Sequence, residues 1–527
     1  MTLIDLVPAA LRRAWASDGI CPDVDLYSLF RVHRLTSPGR MAVIDEAGET
    51  TYADLDHAAR TVAVGLGRLG VCPGDVVGVQ LPNGREAVIA DLAIAGLGAV
   101  ALPFPAGRGR AEAVSLLGRS GARAVIAAAD HRGQSHAADL AVSPDLPALR
   151  SVIAVGGPTP AGCVSWEELL RSDAHGFLPA RPDPDDAARI LVSSGSEAEP
   201  KMVAYSHNAL AGGRGNFLES LIGDDRPLRC LFLVPLASAF GSNGTPVTVA
   251  RHGGGLILLS HFSATAALNA IRAHRPTHVL AVPAMIRMML EAGATGIPPM
   301  TALVLGGAEL DQRTADEAAE AFGCPVVNLY GSADGVNCHS GLSTTRPGTR
   351  GPGVPVGFPD PKVADIRIGD EGEIIARGPM TPMCYVGAPD LNERYRTAGG
   401  WVRTGDLGLI DEEGRLRLIG RLKQVAIRGG RNISLAETEQ AIAAHPDVRD
   451  VVCAAVPDPM MGERLGACVV MRAGLPAFSL EELCAHLRAH GLEVGKHPER
   501  LLVVAELPLT PAGKPDRRAI ATLLQAA

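Results

Sequence analysis

The stretch PGDVVGVQLPNGREAVIADLAIAGLGAVALPF, residues 73–104, decides the fold. Pro73-Gly74-Asp75 reads as a turn. Val76-Val77-Gly78-Val79 follows as a short apolar strand, Glu86 to Ala95 as a helix, and Ala99 to Leu102 as a second buried strand. Just upstream, Leu55, Ala58, Ala59, Val62 and Leu66 recur at helical spacing. Repeated strand–helix–strand units predict a mostly parallel sheet. The same rhythm returns at 110–128, 263–283 and 300–330, so the fold class is α/β.

Outward from this core the grammar changes. Between about 347 and 420, Asp365-Ile366-Arg367-Ile368 and Arg415-Leu416-Arg417-Leu418 alternate with period two among Gly-rich turns. That pattern predicts antiparallel sheet, a small β-barrel-like subdomain. After Arg421 strand–helix alternation restarts. Glu437 to Ala444 reads as a helix, Val451 to Val456 as a strand, and Leu480 to His490 as a helix. A boundary near Gly420–Lys423 then separates a large domain, 1–420, from a small α+β domain, 421–527.

Composition excludes several classes. With 527 residues, 47% hydrophobic and 20% charged, the chain is globular and long enough to fold without disulfides or a structural metal. Lys plus Arg is 49 against 57 Asp plus Glu, a net charge of -8 without a basic run, so nucleic acid is not an expected partner. The ten cysteines include no C-x-x-C pair, which predicts reduced thiols rather than a zinc site. Asp5 interrupts the first apolar stretch with no Lys or Arg before it, which argues against a signal peptide. The uncharged run Cys230 to Ala250 contains Pro235, Gly241, Gly244 and Pro246. It reads as strand and loop, not as a membrane span. The expected address is the cytoplasm, with no membrane partner, as a monomer or homodimer.

The chemistry begins at Ser193-Ser194-Gly195-Ser196-Glu197-Ala198-Glu199-Pro200-Lys201, after the apolar strand Arg189 to Val192. A strand ending in hydroxyls, a glycine and a lysine can wrap a polyphosphate. An ordinary Ser/Gly turn is the competing reading, and the spacing is not that of a Walker loop. The segment resembles the phosphate loop of the adenylate-forming (AMP-binding) superfamily, the acyl- and aryl-CoA synthetases, stand-alone adenylation domains and luciferases. It departs from that pattern at Glu197, Ala198 and Met202. The remaining motifs follow in the superfamily's order. Thr51-Tyr52-Ala53-Asp54-Leu55 and Leu81-Pro82-Asn83 resemble its opening segments. Gly306-Gly307-Ala308 resembles the adenine-side turn, and Asn328-Leu329-Tyr330-Gly331-Ser332-Ala333-Asp334 the Y-G-x-T-E motif. Trp401 to Gly408 resembles G-W-x-x-T-G-D-x-G, Gly420-Arg421-Leu422-Lys423 with Gly429 to Ser434 the hinge motif, and Pro511 to Asp516 the closing motif.

The resemblance implies roles. ATP with Mg²⁺ would be bound by Ser193, Ser194, Gly195, Ser196, Lys201, Gly307, Ala308, Asn328, Tyr330, Gly331, Asp406 and Arg421. Asp406 would accept the ribose hydroxyls, and Asp334, one methylene shorter than the usual glutamate, would meet the metal. Catalysis would rest on Lys514, Arg421 and Asp334, with Lys514 bridging the substrate carboxylate and the α-phosphate. Ser238, Phe240, Gly241, Gly306, Ser332 and Ala333 would line the acid pocket. Lys423 would be the hinge of a mobile small domain. The implied reaction is adenylation of a small carboxylic acid lacking an α-amine, with an aromatic acid favoured, then transfer to CoA. Two other acceptor chemistries stay open. One is a carrier-protein thiol. The other is a diazotase that activates nitrite and couples it to an aryl amine. A catalytically dead nucleotide-binding homologue is a further class, against which Lys201, Asp406, Arg421 and Lys514 all speak. With eleven residues after Asp516, no fused carrier domain is expected.

Overall fold

The computed structural model describes residues 3–527 except 144, 194–199, 309, 343–353, 423, 429–430, 459–460, 491, 493 and 511–513. The 73–104 stretch forms the strand Val76–Gln80, the helix Arg85–Gly96 and the strand Val100–Pro103, with the two strands paired in parallel. The helix before it, Tyr52–Arg68, starts at a capping box in which Thr51 and Asp54 each satisfy the other's backbone N–H. These two helices and residues of both large sheets share one hydrophobic core, which includes Leu55, Val62, Ile94, Val77, Phe232 and Leu256.

Each large sheet has eight strands. One runs in the order Cys384–Tyr385, Met202–Ser206, Ala187–Val192, Val100–Pro103, Val76–Gln80, Ala124–Ala128, Ser151–Val155, Val164–Ser165. The other runs Asn337–His339, Val326–Gly331, Ala302–Gly306, His278–Ala281, Arg229–Phe232, Gly255–Leu258, Met41–Asp45, Gly48–Thr51. Both are parallel through the middle; the second has an antiparallel pair at each edge, whereas the first turns antiparallel only at its Cys384–Tyr385 edge and stays parallel out to Val164–Ser165. A five-stranded sheet follows, in the order Val354–Gly357, Leu416–Arg421, Val402–Ile410, Glu373–Arg377, Asp365–Ile368. A last sheet, 425–503, pairs the long strands Val448–Asp458 and Gly462–Met471 antiparallel under the helices Leu435–Ala443, Leu480–Ala489 and Arg517–Ala526. The architecture is therefore α/β, a large parallel-sheet domain followed by a smaller C-terminal one.

By compactness the chain divides into two units. The first comprises 1–346, 356–366 and 375–404, and the second 347–355, 367–374 and 405–527. One local expectation needs correction. The run Cys230 to Ala250 is not strand and loop throughout, because Gly244–Arg251 is helical. Pro246 sits in its first turn, where a missing N–H costs nothing, and the Thr248 hydroxyl donates back to the Asn243 carbonyl at 2.7 Å. The alternation at Arg415-Leu416-Arg417-Leu418 falls at an antiparallel strand, as expected, with one of its arginines buried. Arg417 is 2% exposed beside Leu416, with a guanidinium nitrogen 3.7 Å from the Asp411 carboxylate. All ten cysteines are free thiols. Among the described residues no helix is long and apolar enough to cross a membrane.

Candidate active site

The motifs gather at strand ends. Ser193 follows Ala187–Val192, Gly306 ends Ala302–Gly306, and Gly331 ends Val326–Gly331. The carboxyl ends of parallel strands are where open α/β sheets take their ligands, because the connecting loops there are free to shape a crevice. Ser193 and Lys201 close the base of the loop between them. The Ser193 N–H donates to the Lys201 carbonyl at 2.9 Å, and the Lys201 N–H to the Ser193 hydroxyl at 3.3 Å. Ser194, Gly195 and Ser196 lie outside the described residues, as do Glu197 and Ala198.

The Lys201 ammonium points at the turn after Val326–Gly331. It stands 3.9 Å from a carboxylate oxygen of Asp334 and 3.9 Å from the centre of the Tyr395 ring. The Tyr385 hydroxyl donates to the same Asp334 oxygen at 2.7 Å. Burial, and then the Asp334 charge, push the Tyr385 phenol far above its ordinary range, so it remains a neutral donor. Ser332 accepts the Asp334 N–H at 2.9 Å and approaches its other carboxylate oxygen at 3.2 Å, which fixes the turn. The buried Ala333 carbonyl accepts the Tyr205 hydroxyl at 2.9 Å. Tyr330 is buried, Gly331 exposed, and the Asn328 N–H donates to the Ser340 hydroxyl at 2.9 Å. Gly307 and Ala308 are exposed after Gly306, and Gly307 takes φ +79°, a left-handed conformation that favours glycine.

The segment 236–243 is held from behind. Asn83, in the Leu81-Pro82-Asn83 motif, donates to the Val234 carbonyl at 3.0 Å and accepts the Leu236 N–H at 2.8 Å. Ser238 spends its hydroxyl inside its own turn, donating to the Pro235 carbonyl at 2.8 Å and accepting the Gly241 N–H at 2.9 Å. Phe240 is half-buried. Gly241 leaves no room for a side chain, since a Cβ would stand 1.9 Å from the Pro235 carbonyl oxygen. Arg214, 3% exposed, ties this segment to the turn by donating to the Ala239 carbonyl at 2.9 Å and to the Tyr205 hydroxyl at 3.3 Å.

In the second unit Asp406 and Arg421 are cross-strand partners on Val402–Ile410 and Leu416–Arg421. The Arg421 guanidinium meets the nearly buried Asp406 carboxylate at 2.8 Å. Lys514 closes a short turn in which its N–H donates to the Thr510 hydroxyl at 3.3 Å and its carbonyl accepts the Thr510 N–H at 2.7 Å. Desolvation first, and then the neighbouring Arg421 charge, hold its ammonium below the ordinary lysine value, although the residue as a whole is exposed. Asp406, Arg421 and Lys514 thus come together. Lys423, expected as the hinge, lies outside the described residues with Gly429, Gly430 and 511–513. Glu437 and Glu439 serve local ion pairs, to Lys496 at 2.6 Å and to Arg517 at 3.0 Å.

Asp334 also sets what metal could bind. Among the described residues no three His, Cys, Asp or Glu cluster around a possible ion. A single carboxylate with an ammonium nearby fits a magnesium ion that arrives with a nucleotide, whose phosphate oxygens and waters supply the other ligands. It does not make a resident protein cage. A cavity of about 670 Å³ lies elsewhere. Arg40, Arg226, Arg229 and Arg275 line it near the amino ends of Met41–Asp45, Arg229–Phe232 and Gly255–Leu258.

Comparison with known proteins agrees with this geometry. The sequence model of the AMP-binding enzyme family matches residues 30–386. The chain belongs to the AMP-binding enzyme family. The family's separate C-terminal domain model matches residues 437–514. A salicyl-AMP ligase / salicyl-S-ArCP synthetase of Mycobacterium tuberculosis is 32% identical, over 92% of this chain and 88% of that protein. A salicylyl-CoA synthase / salicylate adenylyltransferase of a Streptomyces species is also 32% identical, over 91% and 90%. Among solved structures, the amide bond synthetase McbA of Marinactinospora thermotolerans superposes with a TM-score of 0.80 at 27% identity, covering 94% of this chain and 99% of that one. This AMP-binding enzyme is an adenylate-forming acid ligase. Tyr205, Tyr385, Arg214 and Arg396 escaped the motif reading, because their neighbours are distant in sequence and none stands in a phosphate or nucleotide signature.

Proposed function

We propose that this enzyme adenylates a small carboxylic acid with ATP·Mg²⁺ and passes the acyl group to CoA. The observation that carries the reading is the Lys201–Asp334–Tyr385 arrangement at the carboxyl ends of the strands. A cation for phosphate oxygens stands beside a carboxylate oriented by a neutral phenol, where a magnesium nucleotide would lie. In the first half-reaction a carboxylate oxygen attacks the α-phosphorus. The new P–O bond forms as the bond to the β-phosphate oxygen breaks, and pyrophosphate leaves with that electron pair. Lys201 would hold the phosphates, Asp406 would accept the ribose hydroxyls, and Lys514 would stabilise the charge that builds on the α-phosphoryl oxygens. In the second, a thiolate sulfur attacks the acyl carbon and AMP departs.

The aromatic character of the acid and the CoA acceptor rest on family likeness. Relatives are named for salicylate with a carrier protein and for salicylyl-CoA, and a structural neighbour for amide synthesis. In this reading residues 421–527 act as a lid swinging about Lys423, supported by the family's treatment of the C-terminal segment as its own domain. The test is AMP and pyrophosphate release across aryl and aliphatic acids, with and without CoA, and with nitrite plus an aryl amine in parallel. Acid-dependent AMP with a thioester mass only in the presence of CoA is expected. AMP release that needs nitrite and amine instead of an acid would replace this reading by the diazotase. Acyl-adenylate that accumulates with CoA present would move the acceptor to a carrier thiol or an amine.

A further inference from the structure

Among the described residues, three cations surround the 330–334 turn, and a single carboxylate faces them. Lys201 has Asp334 at 3.9 Å. Arg214 is buried on the Tyr205 ring, its guanidinium carbon 4.9 Å from the ring centre, and its two hydrogen bonds go to neutral oxygens, the Ala239 carbonyl and the Tyr205 hydroxyl. Its Nε is buried without a partner. Arg396 lies 5.6 Å from the centre of the Tyr385 ring, and all three of its guanidinium nitrogens are buried without a hydrogen-bond partner. Neither arginine has a carboxylate within ion-pair distance among the described residues. The two tyrosines cannot serve as counter-ions, because burial raises both phenols above their ordinary range and keeps them neutral.

A buried guanidinium without an anion is costly, and the cost vanishes when an anion arrives. The position of the surplus says which anion. Arg214 joins the 236–243 segment, through Ala239, to the Ala333 carbonyl, through Tyr205. Those are the two walls assigned to the acid. Arg396 meets the same turn through Tyr385, whose hydroxyl holds Asp334. We infer that the acid substrate is a dianion, a carboxylate to be adenylated together with a second acidic group that Arg214 and Arg396 neutralise. The inference rests on the adenylation reading and narrows its substrate class. The alternative source of negative charge is the nucleotide's own phosphates, and matched acids separate the two.

The experiment is ATP–pyrophosphate exchange with phthalate against benzoate and glutarate against pentanoate, in the wild type and in the Arg214→Gln and Arg396→Gln variants. Each diacid should exceed its monoacid in kcat/KM by on the order of 10²-fold, as for a site whose buried donors the lesser analogue leaves unpaired. Each variant should narrow that ratio by about tenfold, chiefly through the KM of the diacid, while Arg214→Lys should keep more of it than Arg214→Gln. Equal exchange with mono- and diacids in the wild type would overturn the inference and leave adenylation standing. So would a ratio unchanged in both folded variants, which would assign the surplus charge to the phosphates. If a variant fails to fold, the wild-type pairs decide alone. No exchange with any acid in a protein that binds ATP would overturn the adenylation reading, and this inference with it.

Discussion

Lys514 has a charge that its surroundings work against. Desolvation and Arg421 both favour the neutral amine, so the ammonium titrates below its ordinary 10.5. If Lys514 supplies the cation of the adenylation transition state, that cation is lost as pH rises through the lowered value. Adenylation in the wild type should fall on the alkaline side before pH 10.5, while Lys514→Arg should stay flat there, measured as single-turnover acyl-adenylate formation. Lys514→Ala should slow the same step by on the order of 10²–10³-fold with the fold intact, and a near-wild-type rate would remove the residue from the mechanism. At this scale the motifs made Lys201, Asp334 and Asp406 legible, because their residue types carry the chemistry. They could not show that Ser238 is consumed by its own turn, or that Asp334 is held by Tyr385, since a hydroxyl's partner is a matter of packing.

Elements aim these residues. The antiparallel pairing of Val402–Ile410 with Leu416–Arg421 sets Asp406 opposite Arg421, so the guanidinium meets and orients an almost buried carboxylate. If Asp406 accepts the ribose hydroxyls, 2′-deoxy-ATP should be a poorer substrate than ATP by about tenfold or more, and Asp406→Asn should erase most of that preference. Equal use of both nucleotides by the wild type would take Asp406 out of ribose binding. The 235–243 loop is built against its own backbone at Gly241. Gly241→Ala places a carbon 1.9 Å from the Pro235 carbonyl oxygen, which only a backbone shift can relieve. A loss of roughly 2–3 kcal/mol in denaturant unfolding, together with a raised KM for the acid, is the expected result. The strand–helix alternation of 73–104 was legible because burial imposes its period on the residues. The helix Gly244–Arg251 was not, because Pro246 and two glycines read as breakers until the first-turn position of the proline is known.

The whole molecule carries an acid sensitivity in its core. His207 has no measurable exposure. Its Nδ1 accepts the Leu26 N–H at 3.2 Å and its Nε2 is buried without a partner, so it is folded as the neutral ring. Burial lowers its pKa from 6.5 to about 4. The unfolded chain therefore binds the extra proton first as pH falls, and stability drains between pH 6.5 and about 4, then levels once the folded ring also protonates. The full loss from this one group is about 3 kcal/mol as an upper bound. Urea midpoints across that window should fall in the wild type and fall less in His207→Gln. An identical slope in both would show that the ring is not the group responsible.

The sequence by itself determined the α/β class, the order of the nucleotide motifs and the family, because hydrophobic period and motif spacing are properties of neighbouring residues. Tertiary structure alone decided which cations meet. Lys201, Arg214, Asp334, Tyr385 and Arg396 span nearly two hundred positions, and nothing local announces that they share one turn. Only the closing of Met202–Ser206 against Cys384–Tyr385 and the packing of Tyr205 on Ala333 bring them together. The electrostatic surplus that narrows the substrate class follows from that packing, since a charge becomes costly only when the fold takes it out of water.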